Sequence, residues 1–195
     1  MVDHSIANKM KKLFLDLLLC PKNHSSLSLI NEELDSENNI INGDLLSSDG
    51  ENVYRVINKI PRFVHDQGYV DNFGFQWERH SRTQLDNEIN YNEKTFFEAT
   101  GLGKNEIEGK LFLDVGCGMG RYSKFILKYG GVVIGVDLSN AVEQAEKNLG
   151  QNPDSLFLQA DINNLPFKEN VFDYIFSIGV LHHTPNPENS FKGLI

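Results

Sequence analysis

The chain has 195 residues, 40% of them hydrophobic and 23% charged, which is the balance of a globular protein with a buried core. Its formal net charge is −9, from 27 acidic and 18 basic residues, with no Lys/Arg cluster of the kind that tracks a phosphate backbone, which argues against a dedicated nucleic-acid or anionic-membrane binder. No apolar run reaches the roughly 18 residues needed to span a bilayer, and no signal-peptide cleavage pattern follows the stretch from Leu13 to Leu19. Together with two distant cysteines, Cys20 and Cys117, these features predict a cytoplasmic protein without membrane insertion and with a small-molecule partner.

Residues 1–66 predict a small β-rich domain. This region is rich in Asn, Ser and Asp, and its apolar runs at 26–30 and 52–64 have the character of short strands. Residues 67–100 are interpreted as a connector in which aromatic side chains are concentrated among polar ones. Such a connector covers a ligand or forms core between domains, and the candidates for ligand contact are Phe73, Gln76 and Trp77.

Residues 101–195 show apolar strands that alternate with amphipathic helices, the pattern of βαβ units around a parallel sheet. The predicted strands are 111–115, 132–137, 155–159 and 172–178. The predicted helices are 119–129 and 139–149, the second with Ser139 as its N-cap, and a last one that begins in NPENSFKGLI. The predicted fold class is therefore α/β, a doubly wound and mostly parallel sheet preceded by a small β-rich domain.

The turn after the first of these strands, DVGCGMG, has glycine at every second position. Glycine is needed there because a side chain would keep the backbone N–H groups away from a ligand, and because such a turn visits positive φ. A dinucleotide-binding turn would have its third glycine at position 121, where this chain has Arg121. The spacing therefore weakens the case for a nicotinamide cofactor.

Two carboxylates follow the glycine turn at the ends of strands. Asp137 ends the second strand about 20 residues beyond the glycines, where a carboxylate accepts hydrogen bonds from both ribose hydroxyls. Asp161 ends the third strand and can reach an adenine amino group, while Ile162 lies against the ring. Because ligands of open α/β sheets bind at the carboxyl ends of the strands, these residues predict a ligand that contains adenosine.

Together, Asp114 with the glycine turn, Asp137, and Asp161 in its AD…LPF stretch resemble the class I S-adenosylmethionine-dependent methyltransferases of the type 11 group. The resemblance implies a Rossmann-like fold and S-adenosyl-L-methionine as cofactor. In that family the glycine turn holds the methionine end, the acid of the second strand holds ribose and the acid of the third holds adenine. The cofactor-binding residues that it implies are Asp114, Gly116, Gly118, Gly120, Asp137, Leu138, Asp161, Ile162 and Ser177.

Methyl transfer from a sulfonium is an in-line displacement, for which a protein supplies mainly positioning and desolvation. A general base helps when the acceptor is a hydroxyl or a protonated amine. The candidates are His182 and His183, of which we prefer His182, and a structural or solvated role is the alternative for both. The predicted function is methylation of a metabolite, sugar or lipid-linked acceptor. The alternatives are a methyltransferase-like binding or regulatory module without activity and, third, a nicotinamide oxidoreductase.

The ends of the chain carry two further expectations. The segment LLLCPKNHSSLSLI resembles a zinc ribbon, but structural zinc takes four ligands and only Cys20 remains, with Asn23 and LLSSDG at the other positions. We therefore expect a degenerate ribbon-like domain without metal, held by apolar packing. The resemblance also implies a seven-stranded sheet, of which four strands precede Ile195, so we expect a fragment with an incomplete acceptor pocket.

Overall fold

The protein is described by a computed structural model that covers residues 14–64, except 37, and residues 89–194. The predicted contacts of Phe73, Gln76 and Trp77, and the predicted boundary between residues 66 and 67, lie outside the described residues. The strands are β1 Leu27–Leu34, β2 Ile40–Ser47, β3 Val53–Ile57, β4 Ile60–Arg62, β5 Leu111–Val115, β6 Val132–Asp137, β7 Ser155–Gln159 and β8 Tyr174–Phe176. The helices are α1 Ile89–Thr100, α2 Ser123–Lys128, α3 Ala141–Leu149 and α4 Pro187–Lys192, with short 3₁₀ turns at Lys104–Glu106 and Leu181–His183.

All eight strands form one sheet, in the order β1-β2-β3-β4-β7-β6-β5-β8. Each of the strands β1 to β4 is antiparallel to its neighbour within this group, whereas β7, β6, β5 and β8 are all parallel. The two halves join where β4 pairs with β7 in parallel, with Arg62 opposite Gln159 and with Phe63 N donating to Gln159 O at 2.8 Å. The predicted α/β class with a mostly parallel, Rossmann-like arrangement of β5 to β8 is confirmed.

The parallel strands are covered on both faces, as their continuous apolar sequences require. On one face of β5, Leu113 belongs to a core that also contains Phe14, Tyr54 and Phe63 from the N-terminal region. On the other face, Phe112 packs in a cluster with Phe96 of α1 and with residues of α2. The antiparallel and parallel halves of the sheet therefore share one hydrophobic core, in addition to their backbone pairing.

The structure differs from the predicted elements at several ends. Strand β8 spans 174–176 instead of 172–178, and the first two helices of the parallel region begin at 123 and 141 instead of 119 and 139. Asn140, and not Ser139, is the N-cap residue of α3, but the Ser139 hydroxyl still accepts from Ala141 N at 3.2 Å while it donates to Asp137 at 2.7 Å. Strand β2 is an additional strand, and α1 is a helix within residues that were predicted as connector.

No helix in the described part of the chain is long and apolar enough to cross a membrane.

Candidate cofactor site

The glycine turn leaves β5 at the carboxyl end of the parallel strands. Gly116 N and Cys117 N donate to Val136 O at 2.7 and 3.0 Å, which fixes the start of the turn against β6. Gly116, Gly118 and Gly120 have φ angles of 80°, 53° and 82°, the left-handed region that glycine adopts without steric cost. A Cβ on Gly116 would lie 2.3 Å from a methyl group of Val180, so the turn has no room for a side chain at this position.

Asp137 joins two turns at this edge of the sheet. Its carboxylate, on a residue only 8% exposed, accepts a hydrogen bond from Gly118 N at 2.9 Å. The other carboxylate oxygen accepts from Ser139 N at 2.9 Å and from Ser139 Oγ at 2.7 Å. The structure therefore brings Asp137, predicted at the end of this strand, directly to the glycine turn, and adds Ser139, which the sequence predicted only as a helix cap.

Asp114 is the second buried acid of the site. Burial, together with the negative charge of Asp137, raises its pKa from 3.8 to about 7, although a hydrogen bond from Ser123 Oγ at 2.6 Å acts in the opposite direction. Ser123, at the start of α2, was not recognised in the sequence because its partner lies nine residues earlier in a strand. Among the described residues no Lys or Arg forms an ion pair with Asp114 or Asp137. The site thus contains two buried carboxyl groups with which no Lys or Arg of the described residues is paired.

Cys117 lies within the glycine turn but is buried in a cluster with Phe157, Val142 and Ala145. Burial raises the pKa of its thiol well above the ordinary value, and the nearby charges of Asp114 and Asp137 add to this effect. The sulfur is therefore protonated at neutral pH and is a small packing group.

The remaining predicted cofactor contacts follow the ends of β6, β7 and β8. Leu138 comes directly after Asp137, and Asp161 accepts hydrogen bonds from the backbone and side chain of Asn163 at 2.9 and 3.0 Å. Ile162 packs against the shared core, and Ser177 Oγ donates to Val115 O at 2.9 Å, which ties β8 to β5. All nine predicted residues thus lie at or next to the carboxyl ends of the parallel strands, and their roles as cofactor contacts stay predictions.

His182 and His183 lie in the 3₁₀ turn that directly follows Val180, the residue packed on Gly116. Both histidines are exposed, and their ring centroids are 3.9 Å apart. The role of His182 as a general base stays a prediction.

Asp173 lies at the amino ends of the parallel strands, opposite the glycine turn. Its carboxylate accepts from Leu111 N at 2.9 Å and pairs with Lys110 Nζ at 3.0 Å, at the amino ends of β5 and β8. These donors lower the pKa of Asp173. It therefore stabilises the sheet at a distance from the glycine turn.

Helix α1 is fastened to the glycine turn by contacts that the sequence did not reveal. Asn92, a buried residue of α1, accepts a hydrogen bond from Arg121 Nε at 3.1 Å and a second one from the same guanidinium. Glu93 pairs with Lys128 and with Lys104 and accepts from the Tyr129 hydroxyl, which lowers the pKa of Glu93 to about 2. Arg121, which departs from the dinucleotide pattern, thus holds a helix in place.

The region resembling a zinc ribbon forms two tight turns. His24 N donates to Cys20 O and Gly50 N donates to Ser47 O, both at 2.8 Å, and the Asn23 side chain donates to Asp49 between the turns. No three His, Cys, Asp or Glu residues of the described ranges are grouped so as to hold a metal. The ribbon-like character of this region stays a prediction.

Comparison with known proteins finds similarity within the parallel half of the chain. Residues 113–194 match the family of methyltransferase domains. The ubiquinone biosynthesis O-methyltransferase of Coxiella burnetii is 35% identical over 88 residues, which are 44% of this chain and 38% of that protein. The tRNA (carboxymethyluridine(34)-5-O)-methyltransferase of Saccharomyces cerevisiae is 40% identical over 80 residues, 38% of this chain and 25% of that protein. This chain thus spans well under half the length of these relatives.

Among solved structures, magnesium protoporphyrin IX methyltransferase from Synechocystis, crystallised with bound S-adenosylmethionine, shares the fold. The TM-score is 0.54 at 22% sequence identity, over 65% of this chain and 68% of that one. The family match supports the methyltransferase domain predicted from the sequence, and this likeness supports its fold. They do not bear on the exclusion of nucleic acid as a partner, which stays a prediction because relatives include tRNA methyltransferases.

We expect Gly116→Ala to lower the free energy of unfolding more than Gly109→Ala does. Both glycines have positive φ, but a Cβ on Gly109 meets nothing within 4 Å whereas one on Gly116 meets Val180 at 2.3 Å. The left-handed conformation costs alanine about 1–2 kcal/mol in both variants, and the Gly116 variant bears the clash in addition. Urea denaturation measures the difference, and equal destabilisation of the two variants would contradict the packing described.

We expect the stability of the protein to depend on the protonation of Asp114. An acid whose pKa is about 7 when folded and 3.8 ordinarily binds its proton more tightly in the folded state. The contribution of this group to the free energy of unfolding is therefore fully present below about pH 4 and is lost as the pH rises to about 7, by a few kcal/mol. Asp114→Asn removes this dependence, so the difference in stability between wild type and variant should change between about pH 4.5 and 7.5. A constant difference across that range would show that Asp114 ionises normally.

Proposed function

We propose that this protein uses S-adenosyl-L-methionine to methylate a small-molecule acceptor, namely a metabolite, a sugar or a lipid-linked compound. The observation that carries the proposal is the hydrogen bond from Gly118 N to Asp137, at the carboxyl ends of the parallel strands, which Asp161 follows two residues after β7. These residues lie within the segment that matches a methyltransferase domain.

The charges of the site fit this cofactor better than a dinucleotide. Asp114 and Asp137 are both buried, and no Lys or Arg among the described residues is paired with them. Two buried carboxyls attract a ligand with an ammonium and a sulfonium group, whereas they repel the diphosphate of a dinucleotide. Together with Arg121 in place of the third glycine, this electrostatic argument disfavours the nicotinamide alternative.

The chain's own residues have distinct tasks in this proposal. The bound cofactor supplies the activated methyl group. Asp114 lies next to the glycine turn, where an ammonium favours its ionised form, and Asp137 accepts from ribose hydroxyls while it keeps the turn in shape. Asp161 and Ile162 hold the adenine, and Leu138 and Ser177 complete the contacts. His182 accepts a proton from an acceptor hydroxyl or amine.

The choice of a small-molecule acceptor is supported by charge. A net charge of −9, without a Lys/Arg cluster of the kind that tracks a phosphate backbone, is unfavourable for contact with nucleic acid. The Coxiella burnetii relative is named for ubiquinone biosynthesis and the yeast relative for a tRNA nucleoside, so RNA is the competing acceptor class. The two free cysteines, Cys20 and Cys117, agree with a cytoplasmic site for this activity.

We expect the wild-type chain to bind S-adenosylmethionine and not NAD, and Asp137→Ala to weaken that binding roughly ten- to hundredfold. Loss of hydrogen bonds to a charged carboxylate accounts for about 1.5–3 kcal/mol. Isothermal titration calorimetry measures both ligands, with Asp173→Ala as the matched control because that aspartate lies at the other end of the sheet. Asp137→Asn, which retains an acceptor for Ser139, serves if the alanine variant unfolds. Unchanged affinity in both Asp137 variants would refute the site, and preference for NAD would refute the proposed cofactor.

We expect methyl transfer into the small-molecule fraction of an extract from the source cell, and little into its total tRNA. S-adenosylmethionine with a radioactive methyl group reports both, and His182→Ala should lower the rate at saturating cofactor without changing cofactor affinity. His183→Ala is the matched control, since both rings are exposed and lie side by side. Transfer into tRNA instead would reassign the acceptor. Cofactor binding with no transfer into either fraction would favour the inactive binding module.

A further inference from the structure

The N-terminal sheet reaches the cofactor site through Arg62. This arginine ends β4, where it stands opposite Gln159 at the end of β7, and its side chain is 13% exposed. Arg62 Nη1 donates to Gln159 Oε1 at 2.9 Å, and Arg62 Nη2 donates to Glu143 Oε1 of α3 at 3.0 Å. One guanidinium from the N-terminal region thus bridges a strand and a helix of the methyltransferase domain.

Gln159 links Arg62 to the turn after β6. Its side-chain nitrogen donates to Leu138 O at 2.9 Å and to Asn140 Oδ1 at 3.3 Å. A guanidinium has donors only, so Arg62 can pair only with the oxygen of the Gln159 amide. The pairing therefore directs the nitrogen of that buried amide toward the turn at 138–140.

The same turn shapes the predicted ribose contact. Ser139, between the two residues held by Gln159, gives Asp137 two of its hydrogen bonds, and Asp137 in turn accepts from Gly118 N. Two sets of hydrogen bonds, joined by the backbone at 137–140, therefore link β4 to the glycine turn. Ile60 of β4 adds an apolar contact, because it is fully buried in the cluster that contains Cys117.

A second, independent contact braces the predicted adenine side. Leu19 N donates to Pro166 O at 2.9 Å and Lys168 N donates to Leu17 O at 3.0 Å, so the N-terminal segment pairs with the chain around Phe167. Pro166 and Phe167 belong to the LPF stretch that follows Asp161. The N-terminal region therefore holds both turns, at 138–140 and at 161–168, between which adenosine is expected.

We infer that the N-terminal β-rich region is a structural support for the adenosine half of the cofactor site, with Arg62 and Gln159 as positioning residues. This inference rests on the proposed function, since it assigns adenosine to the space between these turns. The region then acts on cofactor affinity although none of its described residues is among the predicted cofactor contacts.

The test compares two ligands that share adenosine but differ at the methionine end. S-adenosylmethionine and 5′-methylthioadenosine are titrated against wild type, Arg62→Ala and Gln159→Glu, at a temperature where each variant is fully folded. We expect Arg62→Ala to weaken both ligands by the same factor, about tenfold, and Gln159→Glu to weaken the uncharged 5′-methylthioadenosine by a similar factor. An equal factor is not produced by a role in folding alone, which would change the unfolding midpoint and leave both affinities unchanged.

Gln159→Glu separates the two halves of the contact. A glutamate keeps an oxygen for Arg62, and so preserves the seam between β4 and β7, but it has no donor for Leu138 O. It therefore remains informative if Arg62→Ala fails to fold. Arg55→Ala is the matched control, because Arg55 lies on the adjacent strand β3, is largely exposed and contacts Asp44 of the N-terminal sheet.

The outcomes distinguish this inference from the function on which it rests. Binding by wild type with unchanged affinities in Gln159→Glu and Arg62→Ala would overturn the supporting role and leave the proposed cofactor in place. Weakening of S-adenosylmethionine without weakening of 5′-methylthioadenosine would also overturn it, because the effect would then lie at the methionine end. Failure of wild type to bind either ligand would refute the proposed function itself.

Discussion

The site depends on a single buried carboxylate, that of Asp137. It ends a central strand and accepts hydrogen bonds from the glycine turn after β5 and from the turn after β6. A buried charge without a paired cation is costly unless hydrogen bonds satisfy it, so these donors are required for the strand to end in an acid. Gly118, in its left-handed conformation, donates its N–H to this carboxylate. The shape of the glycine turn and the position of the buried charge therefore depend on the same hydrogen bond.

The N-terminal strands of the sheet also support the part of the structure that contains Asp137. A region that matches methyltransferase domains and an antiparallel region of different character are joined by one parallel register, in which Arg62 faces Gln159. The seam is stabilised on its apolar side by a core to which Phe14, Tyr54 and Phe63 contribute along with Leu113 and Leu158. Because that core is shared, the antiparallel strands and the parallel strands cannot shift independently of one another.

Local patterns predicted the parallel strands well. The bounds of β5, β6 and β7 follow from the sequence to the residue, since strands buried on both faces are continuous apolar runs. Strand β8 is shorter than its apolar run because it pairs on one side only in the described sheet. The position of Asp137 as the last residue of β6 was equally predictable, whereas Asp161 lies two residues beyond the end of β7.

Contacts between distant parts of the chain could not be predicted from local sequence patterns. Helix α1 was mistaken for a connector because its buried side chains, Asn92 and Phe96, mix an amide with an aromatic ring, and the partner of Asn92 is Arg121 in the glycine turn. Arg62 and Gln159 are 97 residues apart, and nothing in either local pattern indicates the other. Residues that position the site were therefore missed where their partners come from another part of the fold.

Asp114 gives the site a property that a permanently charged residue would not provide. With its pKa near neutrality, the carboxyl is an incompletely ionised group in the free protein. A cationic ligand beside it draws the group into its ionised form and so expels a proton to the solvent. The measured heat of association would then include the ionisation heat of the buffer, and titrations in phosphate and in Tris would differ in enthalpy for the same affinity.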